Sequence, residues 1–487
     1  MRRWLIGLLL IAPLAAAGQT PCANGQAAGF PCQGIDLLAF LPTSDIGGQG
    51  ILSDIWGWTD PQTGKEYALV GRNNGTAFVD VSDPVNPVYL GDLPLHDGAM
   101  PSLWRDIKVY VDQAFITADN AGVHGMQIFD LTQLRTVTNP PVTFSETDHY
   151  DGFAEAHNLA INEETGFGYA VGGDTCGSDL HMIDLQAEPT FAGCFSFFGF
   201  THDIQCVVYQ GPDADHQGKE ICIASNVVQI SVIDVTDKTM PVVLSSGTYP
   251  NFGYIHQGWL TDDHRYFFQN DELDEFRALV TNTRTLIWDL VDLDDPVLLD
   301  EYVGESTSSD HNLFIVGSTM FQTNYSSGLH IVDISEVARP VEVGFFDTYP
   351  AHDSSGFTFG SWGNYPFFES GTVVVSSIGE GLFVLKPTVI DVAREEPELP
   401  DPFALWPAYP NPFARQTTVT LTLDTAQPVS VAVFNTLGQR AALFHQGMLA
   451  AGVHRFTFEA GVFPNGVYLI RADGPSFSKT EVVVLTR

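Results

Sequence analysis

The chain has 487 residues, of which 44% are hydrophobic, so it can bury a large core and is not globally disordered. Its 59 Asp and Glu residues against 21 Lys and Arg give a net charge of −38, so we expect no nucleic-acid or anionic membrane-surface partner. The 45 glycines and 29 prolines are typical of a turn-rich, all-β protein.

The first 18 residues predict a signal peptide. Arg2 and Arg3 supply positive charge, residues 4–14 form a short apolar run, and small residues at 15–18 suit cleavage. That run is too short to span a bilayer comfortably, and no later stretch is apolar enough, so we expect no transmembrane segment. We therefore predict a secreted protein, extracellular or attached to the outer cell surface, that is a monomer.

The six cysteines fall in three close pairs, as expected for a protein of an oxidising compartment. None forms a CxxC pattern, which favours structural disulfides over redox or zinc chemistry. Many connectivities are open to six cysteines, and we choose nearest neighbours because the later pairs lie on strands that we interpret as adjacent. The predicted disulfides are Cys22–Cys32, Cys176–Cys194 and Cys206–Cys222.

One strand motif recurs along the chain with successive spacings of 44 to 55 residues. Six copies end in an aspartate, and a degenerate seventh copy follows at 383–386. Each unit holds three or four short strands, the size of a propeller blade, so we predict a seven-bladed β-propeller over 19–386. A solenoid, the main rival, would need distinct capping repeats that the sequence does not contain. The six aspartates are Asp80, Asp130, Asp184, Asp234, Asp289 and Asp333.

Two further features complete this prediction. One aspartate per repeat at a strand end is a structural device that accepts backbone donors in the next turn, not a catalytic group. The last unit lacks a fourth strand, and the segment 35–42 is similar to the fourth strand at 88–94. We therefore predict that 35–42 completes blade seven and pairs the two ends of the propeller.

A second motif places one residue of each unit at the start of the innermost strand. Because innermost strands run beside the central channel, we predict that these residues ring one mouth of it: Asp54, Asp106, His157, His202, His256, His311 and Trp362. Imidazole suits zinc, copper, iron and nickel, and carboxylates add affinity for harder ions. The four histidines with Asp54 and Asp106 are thus a candidate site for a divalent transition metal. The alternative is a polar tunnel whose lining only bridges to water.

Other motifs carry less chemical information. The acidic loop at 270–275 offers oxygen ligands that suit calcium, but it lacks the DxDxDG spacing with a distal Glu. The sequence contains no GxSxG, Walker, HExxH or Ser-His-Asp signature, so no catalytic residue is predicted. That absence does not exclude an enzyme, because triads assemble from distant residues.

The composition of the chain changes after residue 386. Residues 387–404 form a Pro/Glu-rich linker, and 405–487 contain several short strands that predict a small Ig-like β-sandwich. This last segment resembles the type A sorting domain of the type IX secretion system. The resemblance implies export by that secretion machinery, a partner of the tail, followed by cell-surface attachment or release. Its motifs are YPNPF at 409–413, VFNTLGQ at 433–439 and GVYLIR at 466–471.

The propeller also resembles a family, the choice-of-anchor B proteins, whose strand repeats are called LVIVD repeats. The resemblance runs over nearly all of 35–386 and is carried by SDIWG at 53–57, WRDIKVY at 104–110, AHN at 156–158 and HQGWL at 256–260. The family name describes interchangeable C-terminal anchors, which a sorting tail fits. The family implies no established activity.

Three functions remain open from the sequence. The first is a non-enzymatic binding module whose propeller face takes an unknown protein or glycan ligand. The second is a metal-dependent enzyme that uses the histidine ring. The third is a purely structural module of the cell surface.

Overall fold

The computed structural model of the chain describes residues 19–48, 50–352, 354–389, 403–405, 408, 411–423, 425–461, 463–475 and 477–486. The predicted signal peptide 1–18 and residues 390–402 of the predicted linker lie outside the described residues. In this part of the chain, none of the helices has the length and apolar character that a membrane span requires.

Short strands dominate the described residues, with three brief 3-10 helices at Thr43–Asp45, Leu131–Thr136 and Cys176–Ser178. The strands from the N-terminus through blade three are β1 (Gln26–Ala27), β2 (Phe30–Gln33), β3 (Ile35–Pro42), β4 (Leu52–Thr59), β5 (Glu66–Arg72), β6 (Gly75–Asp80), β7 (Val88–Pro94), β8 (Arg105–Tyr110), β9 (Gln113–Ala118), β10 (Met126–Asp130), β11 (Val142–Thr143), β12 (Asp148–Tyr150), β13 (Asn158–Asn162), β14 (Phe167–Val171), β15 (Leu180–Asp184) and β16 (Thr190–Phe195). Blades four to seven continue with β17 (Asp203–Val208), β18 (Glu220–Ser225), β19 (Ile230–Asp234), β20 (Val242–Gly247), β21 (Ile255–Leu260), β22 (Tyr266–Asp271), β23 (Arg284–Asp289), β24 (Val297–Val303), β25 (Leu313–Val316), β26 (Thr319–Asn324), β27 (Gly328–Asp333), β28 (Val341–Phe346), β29 (Ser361–Tyr365), β30 (Val373–Ser377) and β31 (Gly381–Pro387).

Seven sheets form the propeller, and in each the strands follow one another from the axis outwards. Blade one is β4–β7, blade two is β8–β10 with β12, and blades three to six begin at β13, β17, β21 and β25. Blade seven contains β29, β30 and β31. The innermost strands contact one another in chain order, and β29 contacts β4, which closes the ring. The predicted seven-bladed β-propeller is confirmed.

The outermost strand of blade seven is β3, from the N-terminal segment. It pairs antiparallel with β31, from Ile35 opposite Pro387 to Pro42 opposite Gly381. Leu37 is buried in one cluster with Phe383. The strands just before it, β1 and β2, extend blade six instead, because β2 pairs with β28. Both ends of the propeller are therefore held in sheets.

The repeated aspartates at the strand ends have the predicted structural role. Asp80 accepts a hydrogen bond from the backbone N–H of Ser82 at 3.0 Å, and Asp184 accepts one from Gln186 at 3.0 Å. The same contact to the residue two positions on is made by Asp130, Asp234, Asp289 and Asp333. Each aspartate thus fixes the turn that leads to the next strand.

Buried carboxylates also join neighbouring blades. Glu220 on β18 accepts hydrogen bonds from Asn162 and Thr165 at the end of β13, both at 2.8 Å. Asp60, after β4, accepts two hydrogen bonds from Arg135 of blade two at 2.9 and 2.6 Å. Because both carboxylates are buried, these contacts fix adjacent sheets against each other.

All six cysteines form disulfides in the predicted pairs. The Cα–Cα distances are 6.0 Å for Cys22–Cys32, 5.5 Å for Cys176–Cys194 and 4.0 Å for Cys206–Cys222. The first closes the N-terminal segment, and the last links the paired strands β17 and β18. Such bonds suit an oxidising, extracellular location.

The C-terminal domain is a small sandwich of two sheets. One sheet has the order β32–β33–β36 and the other β35–β34–β37–β38. Val419, Val431, Ile470 and Val483 are buried between them. This confirms the predicted Ig-like sandwich. Its strands are β32 (Phe403–Leu405), β33 (Gln416–Leu423), β34 (Gln427–Asn435), β35 (Arg440–Leu449), β36 (Gly452–Glu459), β37 (Gly466–Asp473) and β38 (Ser478–Leu485).

Candidate metal centre at the propeller axis

A cavity of about 850 Å³ lies on the propeller axis. All seven residues that the sequence placed at the start of the innermost strands line it, although they come from seven different blades. They are Asp54, Asp106, His157, His202, His256, His311 and Trp362. The ring closure therefore gathers side chains that are about fifty residues apart in sequence.

The four histidines form a continuous row from blade three to blade six. The ring centroids are 4.5 Å apart for His157 and His202, 4.2 Å for His202 and His256, and 4.6 Å for His256 and His311. Each ring is thus in van der Waals contact with the next. Of the four rings, His256 and His311 have ligand nitrogens within 4.8 Å of each other.

Backbone and carboxylate groups orient three of these rings through Nδ1. The Nδ1 of His202 contacts the carbonyl oxygen of His256 at 3.0 Å, and that of His311 contacts the carbonyl oxygen of Trp362. The Nδ1 of His157 lies 3.0 Å from a carboxylate oxygen of Asp119. When Nδ1–H donates to an oxygen, the neutral ring keeps Nε2 as an electron-pair donor. Metal-binding histidines are typically held in this way.

Burial keeps the central rings neutral. It lowers the pKa of His202 and of His256 well below the ordinary imidazole value, and the neighbouring histidines lower both further. Burial also lowers the pKa of His311 to about 3. At neutral pH these side chains are therefore deprotonated, which is the form that binds a metal. The Nδ1 of His256 is buried and has no hydrogen-bond partner among the described residues.

A carboxylate that sequence reasoning missed completes this group. Glu272, in the loop after β22, has a ligand atom within 4.8 Å of one on His256 and one on His311, and those two also lie within 4.8 Å of each other. The hydroxyl of Tyr325 donates to Oε1 of Glu272 at 2.7 Å. Burial raises the pKa of Glu272. Only the general acidity of the 270–275 loop pointed to this residue.

Asp54 and Asp106, the two aspartates of the predicted site, occupy the strand position one residue after that of the histidines. Ile107, Leu159 and Ile204 occupy the same position in the innermost strands of blades two, three and four. Each of them pairs with the equivalent residue of the second strand of its blade. Asp106 precedes Ile107 directly, so its equivalents are Asn158 and Asp203, not His157 and His202. In blades one and two the histidine position is occupied by Ser53 and Arg105. Asp54 and Asp106 therefore line the cavity next to the histidine row, not within it.

These aspartates surround a lysine instead of extending the histidine row. The Nζ of Lys108 lies 2.5 Å from Asp106 and 3.5 Å from Asp54. Burial raises the pKa of Asp54 well above its ordinary range and raises that of Asp203 to about 7. This group of side chains is an ion-pair cluster in which Lys108 already supplies the cation. It is therefore a poorer metal site than the histidine row.

Aromatic side chains line a further part of the same cavity. Trp56, Trp259, Phe314, Tyr365 and Phe367 all contribute, and Trp259 packs edge-on against Phe314 with ring centroids 5.0 Å apart. Lys108 lies 4.6 Å from the centroid of Trp56. The cavity thus combines nitrogen ligands, charged groups and an apolar wall, the composition of many ligand-binding pockets.

Comparison with known families identifies both parts of the chain. Residues 64–93 and 324–348 match the LVIVD repeat, and these segments contain strands of blades one and six. Residues 407–486 match the secretion system C-terminal sorting domain. The chain therefore contains LVIVD repeats and a C-terminal secretion sorting domain. The sorting domain is the one predicted for the type IX system, and it indicates secretion to the cell surface.

Among solved structures, the chain is similar to PorZ, described as an essential bacterial surface component of the type-IX secretion system of Porphyromonas gingivalis. The identity is 12% and the TM-score is 0.47. The match covers 92% of this chain and 61% of the PorZ chain, so this chain spans less than two thirds of that neighbour. No curated protein sequence matches it.

Proposed function

We propose that this cell-surface protein is a binding module whose ligand centre is a divalent transition-metal ion at the propeller axis. The observation that carries the proposal is the convergence of His256, His311 and Glu272, whose ligand atoms all lie within 4.8 Å of one another. Two nitrogens and one carboxylate oxygen form a ligand set that suits zinc and other late first-row ions. His202 and His157 continue the row and offer further nitrogens.

The neutral state of the central histidines suits a metal ion. Here the Nδ1 atoms of His202 and His311 face backbone carbonyl groups, which leaves acceptor nitrogens in a row. A divalent cation can bind the electron pairs of these nitrogens.

The cavity gives this centre a role in binding. Its volume of about 850 Å³ is far larger than one ion needs and lies within the range of small-molecule sites. A group of a protein or glycan ligand that enters the cavity would meet the metal on one side and the aromatic wall on the other. The metal would thus supply an anchoring bond, and the wall would supply apolar contact.

Metal binding to the chelator-treated protein tests the proposal. We expect isothermal titration to show one tight site for Zn²⁺ or Ni²⁺, and Co²⁺ to develop visible absorption bands. His256→Ala and His311→Ala should weaken binding at least about tenfold. His330→Ala is the matched control, because its ring contacts Glu342 and Ser327 in blade six and does not line the cavity. Equal binding by all three variants would contradict the proposed centre.

A metal-dependent enzyme is the second candidate function. It is favoured by the carboxyl groups of Asp54 and Asp203, which line the same cavity as the histidines and could handle protons beside a substrate. The distinguishing measurement is hydrolysis of a panel of ester, phosphoester and glycoside substrates by the metal-loaded protein. Turnover that disappears in His202→Ala but persists in His330→Ala would favour the enzyme over the binding module.

A further inference from the structure

A second group of side chains that can bind a metal lies outside the axial cavity. Asp213 and His216 belong to the loop between β17 and β18 in blade four, and Asp294 belongs to the turn between β23 and β24 in blade five. One ligand atom of each lies within 4.8 Å of those of the other two. None of the three lines the axial cavity, and their loop follows the far end of β17, whereas His202 precedes its start. The group is therefore a separate feature between blades four and five.

The loop of blade four holds two of these side chains in place by itself. Oδ1 of Asp213 accepts the backbone N–H of Asp215 at 3.1 Å, and the backbone N–H of Asp213 donates to the Tyr209 hydroxyl at 3.2 Å. The backbone N–H of His216 donates to the carbonyl oxygen of Asp213 at 3.2 Å. The side chains of Asp213 and His216 are only 13% and 7% exposed. The carboxylate and the imidazole ring are thus positioned by local contacts and by burial.

Blade five brings the third side chain to the same place. The backbone N–H of Leu293 donates to Oδ2 of Asp213 at 3.0 Å, which fixes the turn of blade five against the loop of blade four. Asp294 is the next residue of that turn, and its side chain is 63% exposed. The group is therefore supplied by two blades and is open to solvent on the side of Asp294, so an ion can reach it.

The distances around His216 fit a shared ion better than a direct hydrogen bond. Its Nε2 atom lies 3.4 Å from Oδ2 of Asp294 and 3.9 Å from Oδ2 of Asp213. Both distances exceed the range of about 2.7–3.2 Å for a typical N–H···O hydrogen bond. Nitrogen and oxygen ligands at about 2.0–2.2 Å from a tetrahedral zinc ion are themselves about 3.3–3.6 Å apart. One nitrogen and two carboxylate oxygens can therefore close around a single ion with a small shift.

Lys219 is a cation that competes with a metal for this group. Its Nζ lies 3.1 Å from Nδ1 of His216 and 3.4 Å from Oδ2 of Asp234. While Nδ1 accepts a hydrogen bond from the ammonium group, the neutral ring carries its proton on Nε2 and cannot bind a metal there. When Lys219 turns to Asp234, the ring proton can reside on Nδ1, which leaves the Nε2 electron pair for an ion. The competition should therefore weaken metal binding without preventing it.

We propose that a divalent late first-row metal ion such as zinc binds between blades four and five, with Asp213, His216 and Asp294 as its ligands. One imidazole and two carboxylates are ligands that zinc accepts, and the exposure of Asp294 leaves room for water to complete the coordination. Because the ligands come from two blades, the ion joins them, and it should raise the melting temperature of the protein. The proposal does not depend on a metal at the axis.

Zinc titration of a full chain that carries His256→Ala and His311→Ala tests this site apart from the axial one. After treatment with a chelator, we expect isothermal titration to show one saturable Zn²⁺ site, weaker than the axial site of the wild type because Lys219 competes. Asp294→Asn and His216→Ala should each weaken this binding at least about tenfold, since loss of a group that merely supports a ligand already costs about that much. Lys219→Met should tighten it, because the competing cation is removed.

The neighbouring carboxylate of the same turn is the matched control. Asp295→Asn removes one negative charge from an exposed residue next to Asp294 and should leave Zn²⁺ binding unchanged. Absence of a saturable Zn²⁺ site in the folded axial variant would overturn the proposal. Equal Zn²⁺ affinities of Asp294→Asn and Asp295→Asn, measured in the wild-type background if the axial variant does not fold, would also overturn it. A wild-type chain whose only Zn²⁺ site responds to Asp294→Asn would support this site and contradict the axial centre.

Discussion

Glu220 offers a precise test of how adjacent blades are held together. Its side chain is 5% exposed. One carboxylate oxygen accepts hydrogen bonds from Asn162 and Thr165 at 2.8 Å and from the Tyr169 hydroxyl at 2.6 Å. The other accepts a hydrogen bond from the ammonium group of Lys238 at 2.7 Å. One carboxylate therefore accepts a hydrogen bond from each of these four side chains.

The expected cost follows from these contacts. Glu220→Gln keeps an oxygen for the three neutral donors but directs an amide N–H towards Lys238, whose charge stays buried. Removing one partner of a buried ion pair costs about 3–5 kcal/mol of unfolding free energy. Lys238 also donates to the carbonyl oxygen of Val235 at 2.9 Å, so we expect about 3 kcal/mol. Glu220→Ala should cost more, because its neutral donors also lose their acceptor.

Guanidinium denaturation followed by tryptophan fluorescence measures this cost. A cycle with Lys238→Met isolates the ion pair: the double variant should cost less than the sum of the single variants by about 1 kcal/mol or more. The exposed Glu188→Gln is the control and should leave the unfolding midpoint unchanged. If Glu220→Gln behaves like that control, or if the two single costs simply add, the carboxylate does not hold the blades as argued.

Two further predictions concern the clamp between blades one and two and the closure of the ring. Arg135 holds the pKa of Asp60 well below its usual range, so the stability from this pair is present above the unfolded-state pKa of about 4 and is lost as pH falls through the folded-state value. Thermal melts should show that Asp60→Asn lowers the melting temperature at pH 7. The melting temperature of this variant should also decrease less than that of the wild type as the pH falls, and an unaltered pH profile would contradict the argument. Leu37→Ala should lower the free energy of unfolding by about 2–5 kcal/mol, because Leu37 is buried, and should speed proteolytic cleavage before β4. Unchanged cleavage would refute closure of the ring by β3.

The fold was predictable because the sequence repeats itself at the level of whole blades. The strand motif that ends in Asp80 and its five equivalents marked six units, and a degenerate copy marked the seventh. The hydrogen bonds of those aspartates explain why the motif recurs. The disulfides were predictable for a related reason. Each cysteine pair is separated by only 10 to 18 residues, so neighbouring segments of the chain bring the two thiols together.

The candidate site was less predictable because register depends on a single residue. Aligning the units on their polar residue put Asp106 beside the histidines, whereas aligning them on the apolar residue that follows puts it beside Asn158. Side chains alternate between the two faces of a strand, so one position decides which neighbours a residue meets. The buried Ile107 and Leu159 are the reliable markers, because the core fixes where they lie.

The acidic loop shows why its proposed role at the axial centre has no sequence motif. A spacing rule such as that of the EF-hand arises when one short loop wraps an ion and must supply nearly all its ligands. Here the loop supplies Glu272, whose ligand atom lies within 4.8 Å of those of His256 and His311 in the axial row. The other proposed ligands, His256 and His311, come from elsewhere in the ring, so the loop needs an acidic residue but no fixed spacing. In a propeller, closure of the ring brings the ligands together, so the sequence of the loop alone does not predict the site.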